Sequence, residues 1–169
     1  MRHFIPTFGK IVVMAKKIRI KTNTQKMNND LLYWLGGSFT NFTSIRSPFD
    51  DIDLATEGVN KASVENLAGR MGISKKKMAE DILSISVKTM ERKKPEEKLD
   101  KRSSSHAIEI ARIMQHAYEV FEDEEKVKHW MNAENRALKS RKPIDLLETL
   151  SGINFVNDIL GRIDEGVYS

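Results

Sequence analysis

Between Ser103 and Phe121, apolar side chains fall at Ala107, Ile110, Ala111, Met114, Ala117, Tyr118 and Phe121. Steps of three and four residues bring these positions onto one face of an α-helix, whereas a strand would scatter them over both faces of a sheet. The stretch therefore predicts a long helix whose stripe must be covered by other elements, which draws the rest of the chain toward a helical fold.

The flanking segments agree. Ser47-Pro48-Phe49-Asp50 predicts a helix start, because the Ser47 hydroxyl can accept a backbone N–H, proline suits the first turn, and Asp50 to Asp53 favour the positive end of the helix dipole. Those carboxylates read as a cap rather than a catalytic or metal site, and Gly58 should end the helix. Val64, Leu67, Ala68 and Met71 define one face of a second helix over 62–71, ended by Gly72. Ser74 caps a helix from Lys75 to about Leu83, and Ser86 another to about Lys94, before Pro95. After the long helix, Asp123 caps one from Glu124 to Met131, with Val127 and Trp130 on one side. Pro143 opens a helix expected to run through Leu150, and Ser151 leads into a last one whose stripe is Ile153, Val156, Leu160 and Ile163. Near the N-terminus, Leu31 to Leu35 followed by Gly36-Gly37 predicts a short capped helix with Trp34 as a packing anchor, and Ile11 to Met14 and Ile18 to Ile20 read as short strands.

The chain has no cysteine, which removes disulfides and thiolate metal sites and leaves a reducing cytoplasm as the expectation. No stretch approaches the roughly 18 apolar residues needed to cross a membrane, and Lys16-Lys17 directly follow the best candidate, Ile11 to Ala15. Net charge is +4, from 28 basic and 24 acidic residues, but it is uneven. Residues 1–59 carry 8 basic and 5 acidic side chains, 60–104 carry 12 and 7, and 105–169 carry 8 and 12. A basic middle beside an acidic C-terminal part predicts two surfaces with different partners.

The basic middle contains three short helices, with a tight turn between the last two, which describes a helix-turn-helix unit. In such a unit the second helix lies in the major groove, so Lys88, Thr89 and Arg92 are the candidate base contacts, with Ser86 and Lys93 beside them and Met90 the buried residue. Lys75, Lys76 and Lys77 stand in the first turn of their helix, where positive charge opposes the dipole by about 0.3–1 kcal/mol each. A bound phosphate would reverse that sign; a solvated lysine run is the other reading.

Catalysis is not expected. The histidines His3, His106, His116 and His129 lack metal-ligand spacing, and the chain has no phosphate-binding glycine loop following a strand and no nucleophile elbow. No cofactor or metal is therefore predicted.

The final forty residues add a pattern: Trp130, Asn135-Arg136-Ala137-Leu138, Lys142-Pro143-Ile144-Asp145-Leu146-Leu147, and an ending of Gly161-Arg162-Ile163-Asp164-Glu165-Gly166-Val167-Tyr168-Ser169. It resembles the C-terminal toxin-binding domain of the Xre/MbcA/ParS antitoxins, with the resemblance reaching from about Ser47 to Ser169. Phe4-Ile5-Pro6 and the Leu31–Leu35 helix resemble the opening of some members. Glu134 stands where the family pattern has proline and Ser140 where it often has glycine, and the turn Leu83-Ser84-Ile85-Ser86 lacks glycine and is one residue longer.

The resemblance implies an all-α chain in three parts: an N-terminal extension over 1–46, an Xre-like helix-turn-helix region over 47–104, and a long helix with a small helical toxin-binding domain over 105–169. It implies a RES-domain toxin, which consumes NAD or transfers ADP-ribose, as one partner, operator DNA as another, and a homodimer that autoregulates its operon. Gly166, Val167, Tyr168 and Ser169 would then occupy the toxin's cleft, with Arg162 pairing an acidic group on the toxin. The C-terminal carboxylate would sit where a dinucleotide phosphate binds. Two alternatives stay open at this level: Val167 and Tyr168 fold back into their own core, or the C-terminal helices of a transcription regulator serve dimerisation or ligand sensing.

Overall fold

The structure is a computed structural model that describes residues 31–37, 45 and 47–167. The strands expected at Ile11–Met14 and Ile18–Ile20, the Phe4-Ile5-Pro6 opening, and Tyr168 and Ser169 lie outside the described residues. Among the described residues there is no β-strand, and the fold is all-α. In chain order the helices are α1 (Pro48–Glu57), α2 (Lys61–Met71), α3 (Lys75–Lys77), α4 (Val87–Arg92), α5 (Lys101–Phe121), α6 (Glu124–Asn132), α7 (Pro143–Leu146) and α8 (Leu150–Asp164). A π-helical turn, Met78–Ile82, continues α3, and a 3-10 turn, Arg136–Leu138, precedes α7.

Helix α5 is the hub, packing against α1, α2, α6 and α8. Ala107, Ile110, Ala111, Met114 and Ala117 of the predicted stripe are fully buried, and Tyr118 and Phe121 border it, partly buried. Ile108, Ile113 and the polar Ser104 and Gln115 are buried too, so the covered arc is wider than the stripe. Ile108, for instance, lines the seam with Ile52 and Ala55 of α1. Side-chain bonds lock the packing: Arg112 pairs with Asp51 of α1, His116 Nδ1 meets Asn157 Oδ1 at 2.8 Å, and His106 Nε2 donates to the Leu147 carbonyl at 2.7 Å. The helix starts two residues before Ser103 because Asp100 caps it, its carboxylate accepting from the Ser103 N–H at 3.1 Å and the Ser103 hydroxyl at 2.7 Å. These bonds hold the Asp100 carboxyl below its usual pKa.

The expected caps recur along the chain. Ser74 accepts from the Lys77 N–H, Ser86 from Thr89 and Asp123 from Lys126. At α1 the bond runs back from the helix, the Ser47 N–H donating to Asp50 at 2.8 Å. Residues 31–34 are helical and enter the core: Leu31, Trp34 and Leu35 are at most 1% exposed, and Trp34 meets Tyr118 edge-on at 6.4 Å. Arg70 of α2 lies 3.7 Å over the Tyr33 ring and bonds Glu124 of α6 at 3.4 Å, while the Tyr33 hydroxyl donates to the same carboxylate.

Two helices depart from expectation. The segment from Lys75 to Leu83 is not one regular α-helix, because it opens into a π turn in which Leu83 N–H reaches back five residues to the Met78 carbonyl at 3.0 Å. Such a turn absorbs an additional residue while keeping Met78, Ala79 and Ile82 buried. Ser84 then takes the left-handed backbone (φ 55°) that a glycine would adopt freely.

The helix from Pro143 ends at Leu146 rather than Leu150, and the last one begins at Leu150. Thr149 is extended and caps α8, accepting from the Gly152 N–H at 3.1 Å. The corner is so tight that a Cβ on Gly152 would stand 1.9 Å from the Leu146 carbonyl oxygen.

Gly152→Ala should therefore cost about 2–3 kcal/mol through forced overpacking. Gly161→Ala, whose Cβ would meet nothing within 4 Å, should gain about 0.5–1 kcal/mol on the same helix. Thermal unfolding followed by circular dichroism separates the two, and similar shifts would contradict the tight corner. Asp100→Ala should cost about 1 kcal/mol at neutral pH. With a folded-state pKa below the unfolded one, that stabilisation is complete above about pH 4 and is lost as pH falls through the folded value. Wild-type and variant unfolding curves recorded against pH should converge at the acid end.

Candidate functional site

The C-terminal helix ends in a way that aims the chain outward. Ile153, Val156, Ile159 and Leu160 bury one face of α8 against the core, with Ile163 half-buried at its end. Beyond Asp164, the Gly166 N–H bonds the Ile163 carbonyl at 3.0 Å and the Val167 N–H bonds Arg162 at 2.9 Å. That is a Schellman closure, and it requires the left-handed residue that Gly166 supplies at φ 71°. Val167 emerges 52% exposed, outside the core.

Beside Val167 lies a groove of about 210 Å³, walled by Ile159, Arg162, Ile163 and Val167 on one side and by Asn135, Arg136 and Ala137 on the other. The second wall is a closed loop. Asn135 Oδ1 accepts from the Ala137 N–H at 2.9 Å, the Asn135 N–H donates to the Arg141 carbonyl at 3.0 Å, and the Ser140 N–H returns to the Asn135 carbonyl at 2.9 Å. Leu138 anchors it, 2% exposed. Lys139 and Ser140 both sit in the left-handed region, at φ 55° and 60°. Ser140 thus keeps the backbone that glycine, common at this place in the resembling pattern, would take without strain. The Glu134 N–H has no hydrogen-bond partner among the described residues, so replacing a proline there adds a donor that the fold does not use.

The basic middle divides into committed and uncommitted charges. Lys75 pairs with Glu65 at 2.8 Å, Lys76 with Glu80 at 3.9 Å, and Lys77 with Asp81 at 3.7 Å and Asp145 at 2.9 Å. The bond to Asp145 raises the pKa of Lys77, against the opposing effect of burial. These carboxylates offset the dipole conflict of the lysine run without a bound phosphate. Asp145 is accordingly both a first-turn residue of α7 and a contact, but within the chain.

On α4, Ser86, Lys88, Thr89 and Arg92 are exposed, and Met90 between them is buried. The Ser86 and Thr89 hydroxyls bond each other at 2.8 Å, and Lys93 donates to the Lys98 carbonyl at 2.9 Å. Lys88 and Arg92, one turn apart on one face, have no ion-pair partner among the described residues. The structure thus brings together two uncommitted cations on α4, and Arg162, Gly166 and Val167 at the far end of the molecule's last helix. It adds Asn135, Arg136 and Ile159 to the second site. The Asn135-Arg136 pair stood in the sequence as part of a motif, but nothing local said that it would face α8. Among the described residues no cluster of His, Asp and Glu has the composition of a metal site, and no helix is long and apolar enough to cross a membrane.

Residues 116–166 match the family model of the antitoxin Xre/MbcA/ParS C-terminal toxin-binding domain. That range contains the closed loop, α7, α8 and the Gly166 closure. Among curated proteins, an antitoxin Xre of Photorhabdus laumondii subsp. laumondii is 34% identical over 67 residues, which is 39% of this chain and 45% of the relative. The chain thus spans less than half the length of the curated relative that it matches.

Ser140→Gly should raise stability by about 0.5–1 kcal/mol, since the left-handed cost of a side chain is removed and only part of it returns as chain entropy. Denaturant unfolding would show a higher midpoint at unchanged slope; a lower midpoint would mean that Ser140 is not held at positive φ.

Proposed function

We propose, from the match of residues 116–166 to the Xre/MbcA/ParS toxin-binding domain, that this chain is an antitoxin of that type and neutralises a RES-domain toxin by occupation. The C-terminal domain docks on the toxin, and the tail from Gly166 onward enters the cleft where NAD binds. The observation that carries this reading is the outward release of Val167 from a rigid, Schellman-closed helix. An apolar residue left half-exposed beside a groove gains from a partner what the core does not offer it. The helix supporting it is fixed by α5 and the Gly152 corner, so docking need not order the domain first. Tyr168 and Ser169 continue the plug, and Arg162 pairs an acidic group of the toxin. The chain acts by binding and performs no catalysis of its own.

The second part of the proposal is a helix-turn-helix formed by α3, its π turn and α4, through which a homodimer binds operator DNA and regulates its own operon. Uncommitted Lys88 and Arg92 on one exposed face of α4 support it. Thr89 and Ser86 are exposed at the same helix start, their hydroxyls bonded to each other. The lysines at 75–77 would supply backbone contacts only by leaving their carboxylate partners, which makes them secondary to α4.

Co-expression with a RES-domain toxin, paired with operator-binding assays, tests both parts. Deleting Gly166 to Ser169 should abolish growth rescue while operator binding persists; rescue by the truncated chain would refute the plug. Lys88→Ala with Arg92→Ala should weaken operator binding ten-fold or more and flatten its salt dependence by roughly one log–log unit per lost phosphate contact, with toxin binding unchanged. Equal loss of both activities would point to unfolding instead.

A further inference from the structure

We infer that the groove between the 135–142 loop and α8 is a docking slot for an acidic side chain flanked by an apolar one, presented by the toxin. This rests on the proposed function and extends it from the tail and Arg162 to the facing loop and its Arg136. The first observation is where the cations of an acidic region stand. Residues 105–169 carry 12 acidic and 8 basic side chains, yet five of the eight basic ones, Arg136, Lys139, Arg141, Lys142 and Arg162, belong to this loop or the facing turn of α8. All five are exposed, and none has an ion-pair partner among the described residues. Of the other three, Arg112 and Lys128 are paired within the chain, and Lys126 is an exposed residue of α6. An electropositive spot inside an acidic surface repels most of what the rest of the domain attracts, and it selects for a local negative charge.

The second observation is the shape and lining between the two arginines. Ala137, Ile159, Ile163 and Val167 make an apolar floor, and Arg136 and Arg162 stand at opposite walls. The volume of about 210 Å³ falls below the roughly 300–1,000 Å³ of cofactor and small-molecule sites, so the groove is sized for a side chain. A nucleic-acid backbone would use the guanidiniums and leave the floor uncovered. A protein segment uses both, since a carboxylate can be held by planar guanidinium donors while its neighbour buries apolar surface.

The third observation is continuity. Val167 is at once part of the floor and of the tail, so a partner that grips the tail at Val167 lies beside this groove. The loop is held for this purpose at some cost, with Lys139 and Ser140 consecutively left-handed and the ring closed by the Asn135 and Arg141 backbone pair.

The test uses the full chain and the RES toxin that it neutralises under the proposed function, with binding measured by calorimetry at low and high salt. Arg136→Glu, which lies outside the tail, should weaken binding at least ten-fold at low salt, and the difference from wild type should shrink as salt rises. Arg136→Lys should retain most of the affinity, and a thermal midpoint equal to wild type shows that the fold is intact. Reversing an acidic residue on the toxin should restore binding to Arg136→Glu, which a merely structural role for Arg136 would not produce. Wild-type binding matched by Arg136→Glu would overturn the slot while leaving the tail mechanism standing. Wild-type chain that does not bind the toxin at all would overturn the proposed function and the slot with it. Loss of affinity for a short DNA duplex, with toxin affinity unchanged, would reassign the groove to nucleic acid and refute the inference.

Discussion

The structure hangs on the burial of α5, which is apolar around too much of its circumference to be stable with a single neighbour. Each fully buried Ile or Met side chain contributes about 1.5–3 kcal/mol, and Ile108, Ile110, Ile113 and Met114 of this helix are all covered. No one helix can cover so wide an arc, so α1 and α8, far apart in sequence, are recruited with α2 and α6 onto one rod. The hydrophobic core consequently runs as a single cluster from Leu31 through Leu160. Polar side chains set the register within that packing: Arg112 holds α1, while His106 and His116 hold the turn after α7 and α8.

That arrangement decides how the C-terminal helix can serve a partner. The Gly152 corner lets α8 fold back onto α5 at close range, and the Schellman closure at Gly166 stops the helix at one defined point. Val167, just past that point, stands exposed on a rigid base. Pre-organisation of this kind lowers the ordering cost of association, and Val167, just past the helix end, is left half in water while Ile153, Val156, Ile159 and Leu160 of the helix are buried.

The charges of the molecule fall into two populations. Lys75 and Lys77 are tied to carboxylates at 2.8 and 2.9 Å, the latter bridging to Asp145 at the start of α7. Exposed pairs of this type contribute little stability each, but they occupy cations that the sequence offers as phosphate ligands. Lys88 and Arg92 on α4, and Arg136 and Arg162 across the groove, have no such occupation among the described residues. The α4 surface falls in the basic middle of the chain, whereas the groove gathers its cations inside the acidic C-terminal part.

Much of the fold was legible in the sequence because its determinants are short-range. Side-chain caps act within three residues, glycine ends helices by its own backbone freedom, and the stripe on α5 declares itself by period; Ser74, Ser86, Asp123, Gly72 and the 107–117 positions all behave as these rules require. The site was legible only in part: Arg162, Gly166 and Val167 stood out, but Arg136 and Ile159 did not, because their proximity is created by packing across more than twenty residues of chain. The misplaced boundaries have the same origin. The break at Leu146 comes with the Thr149 cap and the close approach of Gly152 to the Leu146 carbonyl, and the π turn at Met78–Ile82 keeps three buried residues facing inward where the local pattern admitted a regular helix. The sequence by itself determined which segments are helical and which faces are apolar, since hydrogen-bond closure and side-chain period are local properties. Tertiary structure alone decided which lysines are neutralised, how wide an arc of α5 is covered and where the groove opens, because these follow from contacts between segments that only the collapsed core brings within reach.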